Sequence, residues 1–278
     1  MGERLKTKRN RTPEQIDLLK QVRLYQAKMK MRIGIGNQVG AMLRQELITP
    51  EEAATLEGGL TKPLVKVEGQ IIRAAAKELK GMPIWEDWLS KVRGVGGCLG
   101  VQFVALIQPI SDFDTVAALW SYSGYGVVDG EAPRRQAGVQ SRWNPDLRKL
   151  GYQLGDCFVR AGGPYRELYD CYKARDRAVH PDPVTKTDKS GKLMKTREGK
   201  AWKMYTDGHI HARARRYAVK IFLSHLWQAW RELEGLLVRG PYAVEYLGHT
   251  KILSPWAFID KEPKNDVDDE AVACVAVA

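Results

Sequence analysis

LSKVRGVGGCLGVQFVALI, residues 89–107, is the stretch that decides how this chain is expected to fold. Its apolar pattern breaks at residues 94–97 and then resumes. Glycines allow a tight turn with positive φ and leave the amide groups at the start of the next helix uncovered, where a phosphate can bind. The pattern therefore predicts a helix-hairpin-helix; the alternative is a plain joint between two helices packed in a core. The candidate phosphate contacts are Arg93, Gly94, Val95, Gly96 and Gly97.

The charge of the chain is strongly positive and unevenly distributed. The formal net charge is +11 over 278 residues. Six acids stand against two lysines in residues 260–270, so the rest of the chain is still more basic. Such a chain attracts polyanions through counterion release, which favours nucleic acid as the partner. An acidic protein is the alternative partner, and it would make this a structural or assembly protein.

Membrane, disulfide and metal proteins are disfavoured by what the sequence lacks. No stretch approaches the roughly 18 apolar residues of a spanning helix, and residues 1–11 are too charged for a secretory signal. We therefore expect a cytoplasmic protein without membrane contacts. The four cysteines are far apart with no Cys-x-x-Cys pair, which indicates neither a disulfide framework nor a zinc site. We expect no metal and no cofactor.

The N-terminal region contains sequence signals for two helix starts. Thr12-Pro13 and Thr49-Pro50 each combine an N-cap with a proline at the first helical position. Gln15 and Glu52 stand where a capping box needs them. We therefore expect one helix to begin at each proline.

The ends of these helices are predicted from glycine. A helix break is expected at residues 34–36, and residues 58–59 are expected to end the second helix. A third helix is then predicted over residues 61–80. Residues 1–12 form a basic arm, and the helical region 13–80 is where we expect a homo-oligomer interface.

The middle of the chain alternates helix signals with one turn signal. Asp112 or Asp114 is expected to cap a helix that runs through Trp120. A small β-hairpin is predicted at residues 125–132, with Asp129-Gly130 at its turn. Asn144-Pro145 is expected to start a helix that reaches Arg160, and Pro164 to start the next.

The last third of the chain carries a polar segment, a long helix and a tail. Residues 180–200 are rich in Pro, Gly, Asp and Lys, which indicates a long basic loop or loose hairpin. A final helix is predicted from about His209 through Trp230. Residues 259–278 are expected to be an acidic, disordered tail.

Four segments follow one another in a recognisable order: residues 89–107, residues 111–126, RRQAG at 134–138 and SRWNPDLR at 141–148. This order resembles the C-terminal domain of the DEDD insertion-sequence transposases, the bridge-RNA-directed recombinases. The likeness extends over roughly residues 85–230, and it implies a transposase-like domain at 81–258 with residues 180–200 as an insertion. It also implies that the chain binds DNA, with a structured RNA as a second partner, and assembles as an oligomer.

Two departures from that family argue against catalysis. The family carries an N-terminal RuvC-like domain with an acidic metal site, whereas residues 1–80 are too few and too helical to form one. The position that matches the family's catalytic serine falls on residues 130–133, which contain no serine. Ser123 and Ser141 lie nearby, but Ser141 matches a position that caps the following helix, and no base is close in sequence. We therefore assign no catalytic residue.

One other spacing suggests an enzyme. His209-Ile210-His211, with Tyr217 downstream, has the pattern of metal-dependent single-strand endonucleases. Those enzymes place the pair on a strand, where alternate side chains share a face. On a helix, side chains two residues apart diverge by about 200°. Because the segment reads as helix, a start whose histidines face phosphate or water is the favoured interpretation.

The sequence as a whole predicts a mainly α-helical bundle with a helix-hairpin-helix, a small β-hairpin and a long basic loop, which binds backbone phosphates. Duplex DNA is the expected partner and structured RNA the second choice; an active recombinase or nuclease is the alternative. Aromatic residues that are candidates to stack on bases, although such residues usually form core, are Tyr122, Tyr125, Trp143 and Tyr152. The remaining candidate contacts are Arg134, Arg135, Arg142, Arg148, Lys186, Lys189, Lys192, Lys195, Arg213, Arg215 and Arg216.

Overall fold

The computed structural model is mainly helical, as the sequence predicts, and divides into two compact units. It describes residues 9–127, 132–188, 190–196, 198–238 and 253–260. The first unit consists of residues 9–114 with Trp230–Val238, and the second of Thr115–Ala229 with residues 253–260. The predictions made for residues 1–8, 128–131, Lys189 and 261–278 lie outside the described residues.

Two long antiparallel helices form much of the first unit: α1, Pro13–Arg44, and α2, Pro50–Lys77. Each begins at its predicted proline with a closed capping box. The threonine before the proline accepts a hydrogen bond from the backbone N–H of Gln15 or Glu52, and the side chain of that residue accepts from the threonine N–H. Both predicted helix starts are therefore confirmed.

The predicted breaks inside these helices are wrong. α1 continues through Gly34 and Gly36, and α2 continues through residues 58–59 and Pro63, so the expected third helix is the second half of α2. Glycine costs a helix about 1 kcal/mol, and proline removes one helical hydrogen bond. Buried side chains flank these positions in both helices. Packing between the two helices supplies stability that local propensity does not.

A buried ion pair joins α1 to α2. The Nε of Arg32 donates to Oε1 and Oε2 of Glu68 over 2.9 and 3.1 Å. Glu68 is 0% exposed, so its charge has left water entirely. Such a carboxylate is tolerated only with a close partner, and Arg32 supplies it.

The stretch at residues 89–107 forms the centre of the first unit. α3, Gly97–Ile107, is buried along its whole length. The segment before it is a π-helical turn, Ile84–Trp88, followed by a 3-10 turn, Leu89–Lys91, rather than an α-helix. A Cβ at Gly100 would lie 2.3 Å from Cζ3 of Trp85. The glycine is therefore required because an indole packs directly on the helix backbone.

The second unit contains four helices within the described residues. Thr115 caps the first by accepting from Ala118 N, so neither Asp112 nor Asp114 is the cap. Asn144 caps the second through Asp146 N and Leu147 N, as predicted, whereas Ser141 does not. The helices are α4, Val116–Ser123, α5, Pro145–Ala161, α6, Pro164–Val179, and α7, Asp207–Leu233, whose end belongs to the first unit.

The strands lie in the segment for which the sequence predicts a long basic loop or a loose hairpin. β1, Val184–Thr185, pairs antiparallel with β2, Lys203–Met204, which agrees with the hairpin alternative. No strand is present at residues 125–127, at one end of the predicted hairpin, and residues 128–131 are not described. Backbone pairing, which composition does not encode, orders the polar segment. Isolated bridges extend the ladder at Thr187 with Leu193 and at Lys195 with Ala201.

An aromatic core holds the second unit together. The ring of Tyr165 stacks on Phe158 with centroids 4.5 Å apart, and Phe222 packs edge-on against both. The Oη of Tyr165 lies 2.9 Å from Nδ1 of His225. Burial lowers the pKa of His225 to about 4 and raises the pKa of Tyr165 well above its ordinary value. This buried polar pair is therefore uncharged at neutral pH.

Candidate nucleic-acid interface

A pocket of about 530 Å³ lies in the second unit, lined by α5, α7 and the segment before α5. Both helices contribute residues at positions i, i+3, i+4 and i+7, which share one helix face. These are Pro145, Arg148, Lys149 and Tyr152 from α5 and Ala212, Arg215, Arg216 and Val219 from α7. The other lining residues are Tyr125, Arg135, Trp143 and Gly151. Five of the described lining residues are cationic, and none is acidic.

Arg148 is fixed in the pocket wall by a carbonyl and a ring. Its Nη1 donates to Pro133 O over 2.7 Å, and its guanidinium carbon lies 4.9 Å from the Trp143 ring centroid. Gly124, at φ +73°, permits this arrangement, because a Cβ there would lie 2.8 Å from Trp143 Cδ1 and 2.9 Å from Arg148 Cδ. Burial lowers the pKa of Arg148, partly opposed by Tyr125.

Arg216 is held in a similar way. Its guanidinium donates to the carbonyls of Gly124 and Gly126 and lies 4.9 Å from the Tyr125 centroid. Burial raises the pKa of Tyr125 to about 12, against the opposing effect of nearby arginines. Burial also lowers the pKa of Arg216. A Cβ at Gly151 would lie 2.6 Å from Tyr125 Oη, so glycine is needed where this ring meets α5.

Arg215 is the pocket arginine with an acidic partner. It is only 7% exposed and forms an ion pair with Asp156. Its guanidinium carbon lies 3.8 Å from the ring centroid of Tyr152. Tyr152 is itself 59% exposed, so part of its side chain is open to solvent. Gly155 makes room for the stem, because a Cβ there would lie 2.7 Å from Arg215 Cγ. Arg215 therefore supports the Tyr152 ring from one side.

Arg135 and Lys149 contribute two more positive charges to the pocket. Both side chains are exposed, and among the described residues no hydrogen bond or ion pair engages either one. Arg148 and Arg216 likewise have no carboxylate within ion-pair distance in the described chain. Among the described residues, the pocket thus carries positive charge that nearby acids do not compensate, which suits it to an anion.

The structure brings together only some of the predicted contacts. Arg135, Arg148, Arg215 and Arg216 meet in one pocket with three of the four predicted aromatic residues. Lys149 was not singled out from the sequence. The matching i, i+3, i+4, i+7 pattern on α5 and α7 was the signal that could have found it.

The other described residues among the predicted contacts of the second unit do not line this pocket. Arg134 lies 5.1 Å from the ring centroid of Trp202, and Arg213 pairs with Asp176 over 3.1 Å. Arg142 is exposed on the segment before α5. Of the four lysines predicted as contacts in the strand segment, the described ones are Lys186, Lys192 and Lys195.

The predicted glycine turn belongs to the first unit and is largely packed. Gly94 has φ +89°, as a tight turn requires. Val95 and Gly97 are buried, and the Val95 N–H donates to Val92 O over 3.1 Å. Arg93 is exposed. The Val95 amide is thus engaged within the turn, and Arg93 is the exposed cation beside it.

The residues considered for catalysis have structural partners. His209 Nδ1 accepts from Tyr205 N over 2.8 Å, and His211 Nδ1 lies 2.7 Å from Tyr169 Oη. Both histidines are on α7, as the sequence predicts, and burial together with nearby arginines lowers the pKa of each. Ser123 is buried and donates to a backbone carbonyl over 3.2 Å.

Comparisons with protein families, with curated proteins and with solved structures gave no match. Within the described ranges, no three His, Cys, Asp or Glu side chains cluster as metal ligands do. No helix in that part of the chain is both long and apolar enough to cross a membrane.

Proposed function

We propose that this chain binds nucleic acid through the pocket lined by α5 and α7, with duplex DNA as the preferred partner and structured RNA as the second. The observation that carries the proposal is the composition of the pocket: five cations, three aromatic rings and no acid among its described lining residues. Phosphates are the anions that such arginine-rich surfaces bind best, since guanidinium groups match their oxygens in pairs. Backbone contacts of this kind give affinity without reading sequence.

The cations of the pocket have two different roles in the proposed binding. Arg148, Arg215 and Arg216 have carbonyl or carboxylate partners, so they shape the wall and its potential. Within the described part of the chain Arg135 and Lys149 have no such partner, and both reach solvent, so they make the direct phosphate contacts. Their removal is expected to weaken binding without harming the fold.

Two further regions of the chain make weaker contacts with the nucleic acid in this proposal. Arg93 extends from the turn that we interpret as a helix-hairpin-helix, and the basic segment offers exposed Lys192 and Lys195. The motif resemblance to the C-terminal domain of DEDD transposases favours DNA over other polyanions. No catalytic step is included.

Binding is tested by fluorescence anisotropy of the full chain with a labelled 20-base-pair duplex at several salt concentrations. The double variant Arg135→Ala/Lys149→Ala should bind more weakly, and the slope of log affinity against log salt should shrink by about two, one for each phosphate contact.

The matched control is Lys62→Ala/Lys66→Ala, which removes two exposed charges from α2 in the first unit. It should leave the salt slope close to that of the parent chain. Equal losses in both double variants would reduce the effect to net charge and overturn the assignment to the pocket. No binding at moderate salt would overturn the proposed function.

A further inference from the structure

We propose that the pocket receives a single unpaired nucleotide of a nucleic-acid strand, with the base against Tyr152 and the adjoining phosphate at Arg135 and Lys149. This inference rests on the proposed function and narrows it. The feature behind it is the combination of rings and cations in a concavity.

A concave site is more than phosphate binding needs. The backbone of a duplex lies on its outside and is met by exposed cations on any basic surface. A pocket of about 530 Å³ falls within the roughly 300–1,000 Å³ typical of sites that enclose small ligands. A base enters such a site only after it leaves the stack or where it has no pairing partner.

Tyr152 offers the platform for that base. The guanidinium of Arg215 lies 3.8 Å from its ring centroid and is itself fixed by Asp156. The ring is 59% exposed although it lines a pocket, so area remains for a second planar group. Stacking on an exposed aromatic ring is how proteins hold unpaired bases, whatever their identity.

The cations beside this ring suit the phosphate of the same nucleotide. Lys149 is three residues before Tyr152 on α5, so the two share a helix face. Arg135 lines the same pocket and is exposed. A nucleotide supplies both parts, a planar base and an anion, and this chemistry is shared by a strand and by a free mononucleotide.

The test compares two labelled duplexes that differ by one central extrahelical thymidine, with the full-length chain. We expect the bulged duplex to bind about tenfold more tightly, within the range that one base stacked on an aromatic side chain provides. Tyr152→Ala should abolish this preference, so that the variant binds both duplexes with equal affinity, and Tyr152→Phe should keep it.

Trp202→Ala is the matched control, because Trp202 is an exposed ring beside Arg134 that does not line the pocket. It should keep the full preference. A variant-independent readout is permanganate oxidation of the extrahelical thymine, which the parent chain should suppress on binding. Unchanged oxidation would overturn the inference even if Tyr152→Ala failed to fold.

The outcomes separate the two proposals. Equal affinity for both duplexes, with Tyr152→Ala binding like the parent, overturns the unpaired nucleotide while nucleic-acid binding stands. No binding to either duplex overturns both. Displacement of the bulged duplex by micromolar thymidine monophosphate assigns the pocket to a free nucleotide and overturns the strand as its source.

Discussion

Half-buried arginines are held in two different ways, one between α1 and α2 of the first unit and the other at the pocket of the second. In the first unit, Arg32 meets the fully buried carboxylate of Glu68, and the two charges cancel inside the fold. In the second unit, Arg148 and Arg216 meet carbonyls and aromatic rings instead. A carbonyl holds a guanidinium in place without neutralising it. The first arrangement stabilises the helical hairpin, and the second keeps positive charge available at a pocket.

The largest expected effect breaks the charged pair of the first unit. Glu68→Ala leaves the half-buried Arg32 without its carboxylate and should lower the free energy of unfolding by about 3–5 kcal/mol. Urea denaturation measures the loss. Lys20→Ala, which removes an exposed pair with Asp17, should cost less than about 1 kcal/mol. Comparable losses in the two variants would contradict a structural role for the buried pair.

The second unit buries an uncharged polar pair, Tyr165 with His225, so the stability of the chain should fall at acid pH. The pKa of His225 is lowered from 6.5 to about 4 in the folded chain, and the unfolded chain therefore binds more protons between these values. Stability should be complete above pH 6.5 and fall by roughly 3 kcal/mol as the pH approaches 4. Urea midpoints at pH 7 and pH 4.5 measure this. An equally steep fall in His225→Gln would show that other groups cause it.

Close packing in the first unit gives a smaller effect. Gly100→Ala would force a Cβ into the indole of Trp85 and should destabilise the chain by about 1–3 kcal/mol. Gly34→Ala, on a helix with nothing within 4 Å, should instead stabilise it by roughly 0.5–1 kcal/mol. Thermal unfolding of both variants checks the difference in sign, and a stabilised Gly100→Ala would disprove the contact.

The smallest effect on stability is expected at the pocket. Arg135→Ala/Lys149→Ala should change the free energy of unfolding by no more than about 0.5 kcal/mol, because these exposed side chains have no partner in the described chain. Urea denaturation measures this beside the loss of binding. A loss above 1 kcal/mol would mean that the pocket cations serve the fold, as Arg32 does.

Local signals located the starts of α1, α2 and α5 and the end of α5, but not the ends of α1 and α2. The capping boxes at Thr12 and Thr49 each involve only four consecutive residues. They can therefore be recognised in the sequence, and both were predicted correctly. The glycines at 58–59 were expected to stop a helix and do not, because packing between α1 and α2 decides the outcome. Pairing of β1 with β2 is likewise set by partners far along the chain.

For the candidate site, too, the sequence indicated some residues correctly, and only the structure separated them from the others. Sequence singled out Arg135, Arg148, Arg215 and Arg216 by charge alone, together with many cations that lie elsewhere. It also named Tyr152 as a candidate to stack on bases, but core aromatics follow the same pattern. Exposure separates the two, and exposure is a property of the folded chain.

The sequence by itself determined a basic, mainly helical chain with its helix starts, because composition and capping are local properties. Only the tertiary structure decided which cations are neutralised, as in Arg32 with Glu68, and which have no acid beside them among the described residues, as at Arg148 and Arg216. The physical reason is that the availability of a charge depends on its neighbours in space, and those neighbours are supplied by segments distant in sequence.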